Sequence, residues 1–263
     1  MYNENPIISK WIADMYDQQV TETDDVAFLL SAIAAKSQRI LEVCCGSGRI
    51  LVPLAEAGHD VSGFDADEYM LAKIPFKAKG LANIHWLESD AVHDDWGEGF
   101  DIVVLAGNIL YNIVSDMGYA QAQELFIQKA ASSLKPGGHV YIEYQPGGHR
   151  IMQSEPSHSK EDERFVVWEG SDADGNHGRM ILLGGGYDMA TGLDSFTRRF
   201  ELVLPTGETI TQDIPSQKHF ASLPQLHEWL GNAGFVIEWE YGDYQKSRVD
   251  CDSRAVIIYA RKG

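Results

Sequence analysis

Apolar positions along the chain follow two rhythms. Between about residues 21 and 145, short apolar runs alternate with segments in which apolar residues recur every three or four positions. The runs 39–43, 61–64, 84–87, 102–106 and 139–144 are short apolar runs and predict strands. Between them the spacing predicts helices over 49–57, 69–77 and 119–134. The last keeps Phe126, Ala130 and Leu134 on one face. Thr21 with Asp24 reads as a capping box for an earlier helix running to about Ala35. Pro136-Gly137-Gly138 stops the helix before it and turns the chain back into the sheet. Strands alternating with helices imply βα units and a parallel sheet.

From about residue 155 to 219 the rhythm changes to strand-like runs at 164–169, 179–183, 195–204 and 208–214. Asp174-Gly175, Thr191-Gly192 and Thr206-Gly207 are turn signals between them, so an antiparallel meander is expected. Phe165 and Trp168 should pack this sheet or its junction with the core. Ser222 with Gln225 offers a second capping box, for a helix ending at Gly234. Runs near 235–241 and 254–260 would complete the main sheet. The expected organisation is α/β, a mostly parallel seven-stranded sheet with an inserted antiparallel sheet. Residues 1–150 would be the core with an N-terminal helical lid, 151–216 the insertion, and 217–263 the C-terminal helix and strands.

Composition narrows the functional classes. At 263 residues and 44% apolar content the chain can bury a sizeable core. No run approaches the roughly 18 apolar residues of a membrane helix, and the amino terminus does not read as a secretion signal. Cys44, Cys45 and Cys251 are too few for a disulfide framework, so a reducing cytoplasm is expected. The net charge of −18 repels phosphate backbones and anionic lipid. Nucleic acid and membrane are therefore excluded as expected partners, and a neutral or cationic small molecule is favoured. Strands of the insertion could pair across a homodimer or within one chain.

Candidate chemistry begins at ILEVCCGSG, where Glu42, Gly46 and Gly48 sit at the turn from the first strand into a helix. Glycines there let a ligand approach the backbone, and the helix start presents unpaired amides. A dinucleotide site would use the same turn, with a third glycine for close helix–strand packing. That position is Leu51, which is too large for such packing. Glu42 could instead meet the cationic end of a methionine moiety, and Asp90 in HWLESDA supplies a further acid after the third strand. Asp65 alone could equally be a helix cap, and Asp90 alone reads as a loop carboxylate. Cys44 and Cys45 read as small packing residues. The nine histidines show no metal-ligand spacing, and His93 with Asp94 and Asp95 reads as a solvated loop, so no metal is expected.

Together these stretches resemble the class I S-adenosylmethionine-dependent methyltransferases. ILEVCCGSG is similar to that family's first motif, GFDADEYM to its second and LESDA to its third. FDIVVLAGN and LKPGGHVYIE resemble its fourth strand and the turn into its fifth. The resemblance covers roughly residues 39–145 in order and spacing. It implies a Rossmann-like fold, S-adenosylmethionine as cofactor and S-adenosylhomocysteine as product. The implied cofactor site is Glu42, Gly46, Gly48, Asp65, Ala66, Met70, Asp90, Ala91 and Ala106. In it Asp65 holds the ribose, Ala66 and Met70 line the adenine, and Asp90 lies near the adenine amino group with Ala91 beside it.

The stretch 106–112 lacks the Asn/Asp-Pro-Pro-aromatic motif of methyltransferases acting on DNA bases or protein glutamine. It is similar instead to small-molecule N-methyltransferases of the glycine and deoxysugar type. So are the inserted sheet and the segment Asp14-Met15-Tyr16-Asp17, placed before the first helix. That resemblance implies an acceptor pocket lined by Tyr16, Tyr111, Asn112 and Tyr144, the first three as candidate catalytic residues. Two departures limit it. Many relatives have a histidine where Asn112 stands, and the glycine-methylating ones have an arginine where Gln145 stands, which argues against an amino-acid substrate. The expected reaction is methylation of an amine or ring nitrogen. A hydroxyl acceptor would need a base, for which only His149 and His219 offer. A non-catalytic adenosylmethionine-binding module is the reading from another class.

Overall fold

The computed structural model describes residues 5–33, 36–145, 164–250, 253 and 255–263. They fall into two compact units, one of residues 22–147 with 221–263 and one of residues 1–21 with 148–220. Cys251 and His149, and the expected junction at 150/151, lie outside the described residues.

With elements numbered in chain order, the larger unit holds β1 (Arg39–Val43), β2 (Asp60–Asp65), β3 (Ile84–Glu88), β4 (Phe100–Leu105), β5 (Leu134–Tyr144), β10 (Phe235–Tyr241) and β11 (Val256–Lys262). They form one sheet in the order β10-β11-β5-β4-β1-β2-β3. β1 to β5 run parallel, and β11 lies antiparallel between β5 and β10. This is the expected mostly parallel seven-stranded sheet. Its strand order reverses between β1 and β4, and in such sheets ligands bind outside the carboxyl ends at the reversal.

Side chains alternate between two apolar layers. Leu41, Val43, Val103, Leu105, Val140 and Ile142 face α7 (Tyr119–Ser133) and α8 (Leu223–Asn232). Ile40, Ile102, Val104, Tyr141 and Ile257 face α2 (Asp24–Ala32) and α3 (Leu51–Glu56). A Cβ on Gly63 of β2 would lie 2.8 Å from Leu51 Cδ1 and 2.9 Å from Cys45 Cβ. Close helix–strand contact therefore exists here, and the glycine that permits it is on the strand.

Three local expectations change. The helix expected over 69–77 is two short ones, α4 (Glu68–Leu71) and α5 (Ile74–Lys77). Pro75 in the first turn of α5 lacks the N–H that a continuous helix would use. The Thr21–Asp24 box does not form. Thr23 occupies the N-cap of α2 with no side-chain bond and Asp24 is the first residue of the helix, which leaves Thr21 outside the cap. The Ser222–Gln225 box does form, with the Gln225 side chain accepting the Ser222 N–H at 2.9 Å.

The smaller unit contains α1 (Pro6–Gln19) and the meander β6 (Arg164–Ser171), β7 (His177–Asp188), β8 (Leu193–Val203) and β9 (Thr209–His219). Ile8, Trp11 and Met15 on one face of α1 pack on Met180, Phe200, Leu202 and Ile214 of the sheet. Trp11 Nε1 donates to the Gly170 carbonyl at 3.0 Å. The Asp14–Asp17 stretch thus lies inside the first helix rather than before it. Trp168 packs in this core as expected, whereas Phe165 is 63% exposed and does not. Among the described residues no helix is long and apolar enough to cross a membrane.

Candidate functional site

The carboxyl end of β1 bears the glycine-rich turn. Gly46 has φ 54° and Gly48 φ 80°, a region that favours glycine. A Cβ on Gly46 would meet nothing within 4 Å, so open space lies over this backbone. A Cβ on Gly48 would come within 3.1 Å of Ile74 Cγ1. Cys44 holds φ 56° without being glycine, a sparsely populated conformation of the kind that collects at binding sites. Lys77 steadies the turn, its Nζ donating to Ser47 O and Ser47 Oγ at 2.9 Å each. Burial pushes both the Cys44 and Cys45 thiols up, so neither is a thiolate at neutral pH.

Glu42 is 5% exposed and its Oε2 has no hydrogen-bond partner. Burial, opposed by the Arg49 guanidinium, pushes its carboxyl up to about 8; Asp65 and Asp25 add to the rise. Asp65, at the end of β2, accepts from Gly46 N–H through Oδ2 and from Asp67 N–H through Oδ1, both at 2.9 Å. It is therefore a cap for two turns, as its sequence position allowed, and the Ala66 N–H acts on it as well. Ala66 and Met70 follow it half-buried, Met70 within α4, whose cap is Asp67. Asp90 accepts from Val92 and His93 N–H groups at 2.7 and 3.3 Å, which shapes a turn with Ala91 buried inside. Lys129 of α7 fixes that turn by donating to Ala91 O, Val92 O and Asp94 O at 2.6–2.8 Å. Asp94 is engaged by Ser89 and the Asp90 N–H. No group of three metal-ligating side chains exists among the described residues.

β4 ends at Leu105 and is followed by Ala106 and then by Gly107 and Asn108, both with φ near 62°. Asn108 Oδ1 is buried without a partner. Tyr111 and Asn112 lie on the short α6 (Ile109–Asn112). Asn112 is exposed and its amide donates to Asn108 O at 3.1 Å. The Tyr111 hydroxyl donates to Gln145 Oε1 at 3.5 Å, and burial with the nearby Glu143 charge pushes it up to about 12. Tyr144 is fully buried in the apolar layer, its hydroxyl donating to Ala221 O at 2.8 Å. In the smaller unit Tyr16 packs edge-on against Trp168 at 6.3 Å, and His219 is buried.

Residues that sequence reasoning passed over share the Glu42 face of the sheet. The register pairs Glu42 with Val104 and Val104 with Tyr141, so the three form a transverse row. Tyr141 is fully buried and its hydroxyl has no partner. Glu143 is one row further on, 6% exposed, with Oε1 accepting the Tyr244 hydroxyl at 2.7 Å and Oε2 without a partner. The available signal was a charged residue inside the apolar run VYIEY.

Folded proteins leave few buried polar atoms unpaired. Here several collect at the strand ends beside an open glycine turn. The donor set fits S-adenosylmethionine: a buried carboxyl oxygen of Glu42 without a partner for an ammonium, an open cradle over Gly46, and the Asp65 carboxylate for vicinal hydroxyls.

Comparison with known proteins agrees. Residues 40–138 match the methyltransferase domain family. Glycine N-methyltransferase of Rattus norvegicus is 26% identical over 156 residues, covering 55% of this chain and 53% of that protein. Ubiquinone biosynthesis O-methyltransferase of Chelativorans sp. is 32% identical over 106 residues, covering 40% of this chain and 39% of that protein. The chain thus spans about half or less of the length of these curated relatives. In fold it is similar to the CcbJ methyltransferase from Streptomyces caelestis, with a TM-score of 0.72 at 20% identity over all of both chains. Residues 40–138 thus match a methyltransferase domain, and the fold of the chain is that of solved S-adenosylmethionine-dependent methyltransferases.

Proposed function

We propose that the protein transfers a methyl group from S-adenosylmethionine to a small molecule, at an amine or ring nitrogen. The observation that carries the cofactor half is the buried Oε2 of Glu42, without a hydrogen-bond partner, beside the open Gly46 turn. Glu42 would hold the methionine ammonium, Asp65 the ribose, and Ala66, Met70 and the Asp90–Ala91 turn the adenine. Bound there, the cofactor supplies an electrophilic methyl group on a sulfonium. The chain's own residues then need to position the acceptor, exclude water and relieve it of a proton.

Tyr111 and Asn112 would border the acceptor, with Tyr16 as a further candidate. With its hydroxyl pushed up to about 12, Tyr111 serves as a neutral hydrogen-bonding group and not as a base at pH 7. The net charge of −18 supports a neutral or cationic acceptor over a phosphate backbone. O-methylation is the second reading, favoured by the O-methyltransferase relative. Calorimetry with S-adenosylmethionine and S-adenosylhomocysteine, followed by methyl transfer to matched amines and alcohols, tests both halves. Both ligands should bind; absence of binding by either overturns the cofactor reading, and turnover of alcohols alone overturns the nitrogen reading.

A further inference from the structure

Glu143 has no part in the cofactor site described above, yet its surroundings match those of Glu42. It is buried on the same sheet face, at the carboxyl end of β5, with one oxygen unpartnered. The register Leu105–Ile142 sets Ala106 beside Glu143, so Glu143 lies next to the backbone where β4 leaves the sheet. Tyr141, also fully buried with an unpartnered hydroxyl, lies two residues back on the same face.

Charge counting shows what this corner lacks. Asp25 and Arg49 neutralise each other in a two-point ion pair, 2.6 and 2.9 Å, with side chains 11% and 17% exposed. That pair acts electrostatically on both Glu42 and Glu143. Two buried carboxyls therefore remain without a counter-charge of their own. A methionine ammonium answers one of them. A buried carboxylate without a partner is costly, and a cation carrying N–H donors removes the cost.

We propose that Glu143, with the Tyr141 and Tyr244 hydroxyls, is the subsite that recognises the amino group of the methyl acceptor. This rests on the methyltransferase reading and adds to it the acceptor class: a primary or secondary aliphatic amine, basic enough to arrive as an ammonium. Glu143 Oε2 and Tyr141 Oη supply free acceptors for two N–H groups, while Tyr244 fixes the carboxyl from its other oxygen. The same carboxylate can take the proton that the ammonium must lose before its nitrogen attacks; the N–H bond breaks, and the proton goes to Oε2. Tyr244, Asp25 and Arg49 act on Glu143, and Glu143 in turn acts on Tyr141 and Tyr111.

The test uses the full chain saturated with S-adenosylhomocysteine and titrates cyclohexylamine and cyclohexanol as probes by calorimetry. The wild-type protein should prefer the amine. Glu143→Gln should weaken amine binding by about tenfold or more while the Kd for S-adenosylhomocysteine stays within about twofold. Equal binding of amine and alcohol by the wild type, or unchanged amine binding in Glu143→Gln, overturns the proposal. Failure of the wild type to bind S-adenosylhomocysteine would instead overturn the underlying methyltransferase reading. Should Glu143→Gln not fold, Tyr244→Phe decides. Removing the hydroxyl that lowers the Glu143 carboxyl moves the acidic limb of amine binding to higher pH, and an unmoved limb overturns the proposal.

Discussion

Asp65 holds the Gly46 amide at 2.9 Å, tying the end of β2 to the glycine turn that follows β1. Its second oxygen holds the Asp67 amide at the same distance. Asp65→Ala should therefore do two things at once. Loss of two caps should cost about 1–3 kcal/mol of stability by urea unfolding. Loss of the carboxylate should weaken S-adenosylhomocysteine at least tenfold by calorimetry. Asp65→Asn keeps one acceptor oxygen, so it should lose about half of that stability and still lose the affinity.

Glu42 gives a pH dependence of definite sign. Its carboxyl rises from an ordinary 4.5 to about 8 in the folded chain, chiefly by burial. Between those values the folded state binds more protons than the unfolded one, so the Glu42 contribution to stability falls as pH rises from 4.5 to 8. Glu42→Gln should flatten this part of the profile of the ligand-free protein. A cation pairing with Glu42 should expel its proton. Calorimetry at pH 7 in buffers of different ionisation enthalpy should then show proton release in the wild type and much less in Glu42→Gln.

Gly63→Ala places a methyl 2.8 Å from Leu51 Cδ1 and 2.9 Å from Cys45 Cβ. Both neighbours are buried, so they have little room to yield. The expected cost is about 1–3 kcal/mol in urea. Because Cys45 belongs to the glycine turn, cofactor affinity should fall as well. Gly80→Ala, where nothing lies within 4 Å but φ is 84°, separates backbone strain from overpacking and should leave affinity intact.

Lys129→Met removes one ammonium from three carbonyls. Amide hydrogen exchange over residues 90–95 should accelerate by an order of magnitude or more, while exchange in β1 stays unchanged.

Tyr111→Phe combined with Asn112→Ala should reduce turnover on the true acceptor by at least tenfold while leaving cofactor Kd unchanged. Full turnover in the double variant would remove both from the acceptor pocket.

The strands of the large sheet were legible because each is a short apolar run set between turn or helical segments. The glycine turn and Asp65 were legible because local spacing alone sets them at a strand–helix junction. Other features depend on contacts distant in sequence. Whether a capping box forms depends on where the helix starts: Ser222 caps α8 and pairs with Gln225, whereas α2 starts at Asp24 with Thr23 at its N-cap, leaving Thr21 outside. The room that Leu51 needs comes from Gly63, twelve residues away on another element. Glu143, Tyr141 and Tyr244 acquire meaning only when β5 is laid two strands from β1 and the loop after β10 is folded over it.

Tyr144 and Ala221 are 77 residues apart, yet the hydroxyl of one meets the carbonyl of the other at 2.8 Å. They stand at the exit and the re-entry of the large unit. The chain therefore leaves this sheet after β5 and returns to it before α8 at a pinned seam. Such a seam lets the segment between be lengthened, replaced or redesigned without reopening the sheet. Divergence can then accumulate in the insertion while the glycine turn, Glu42 and Asp65 are left untouched.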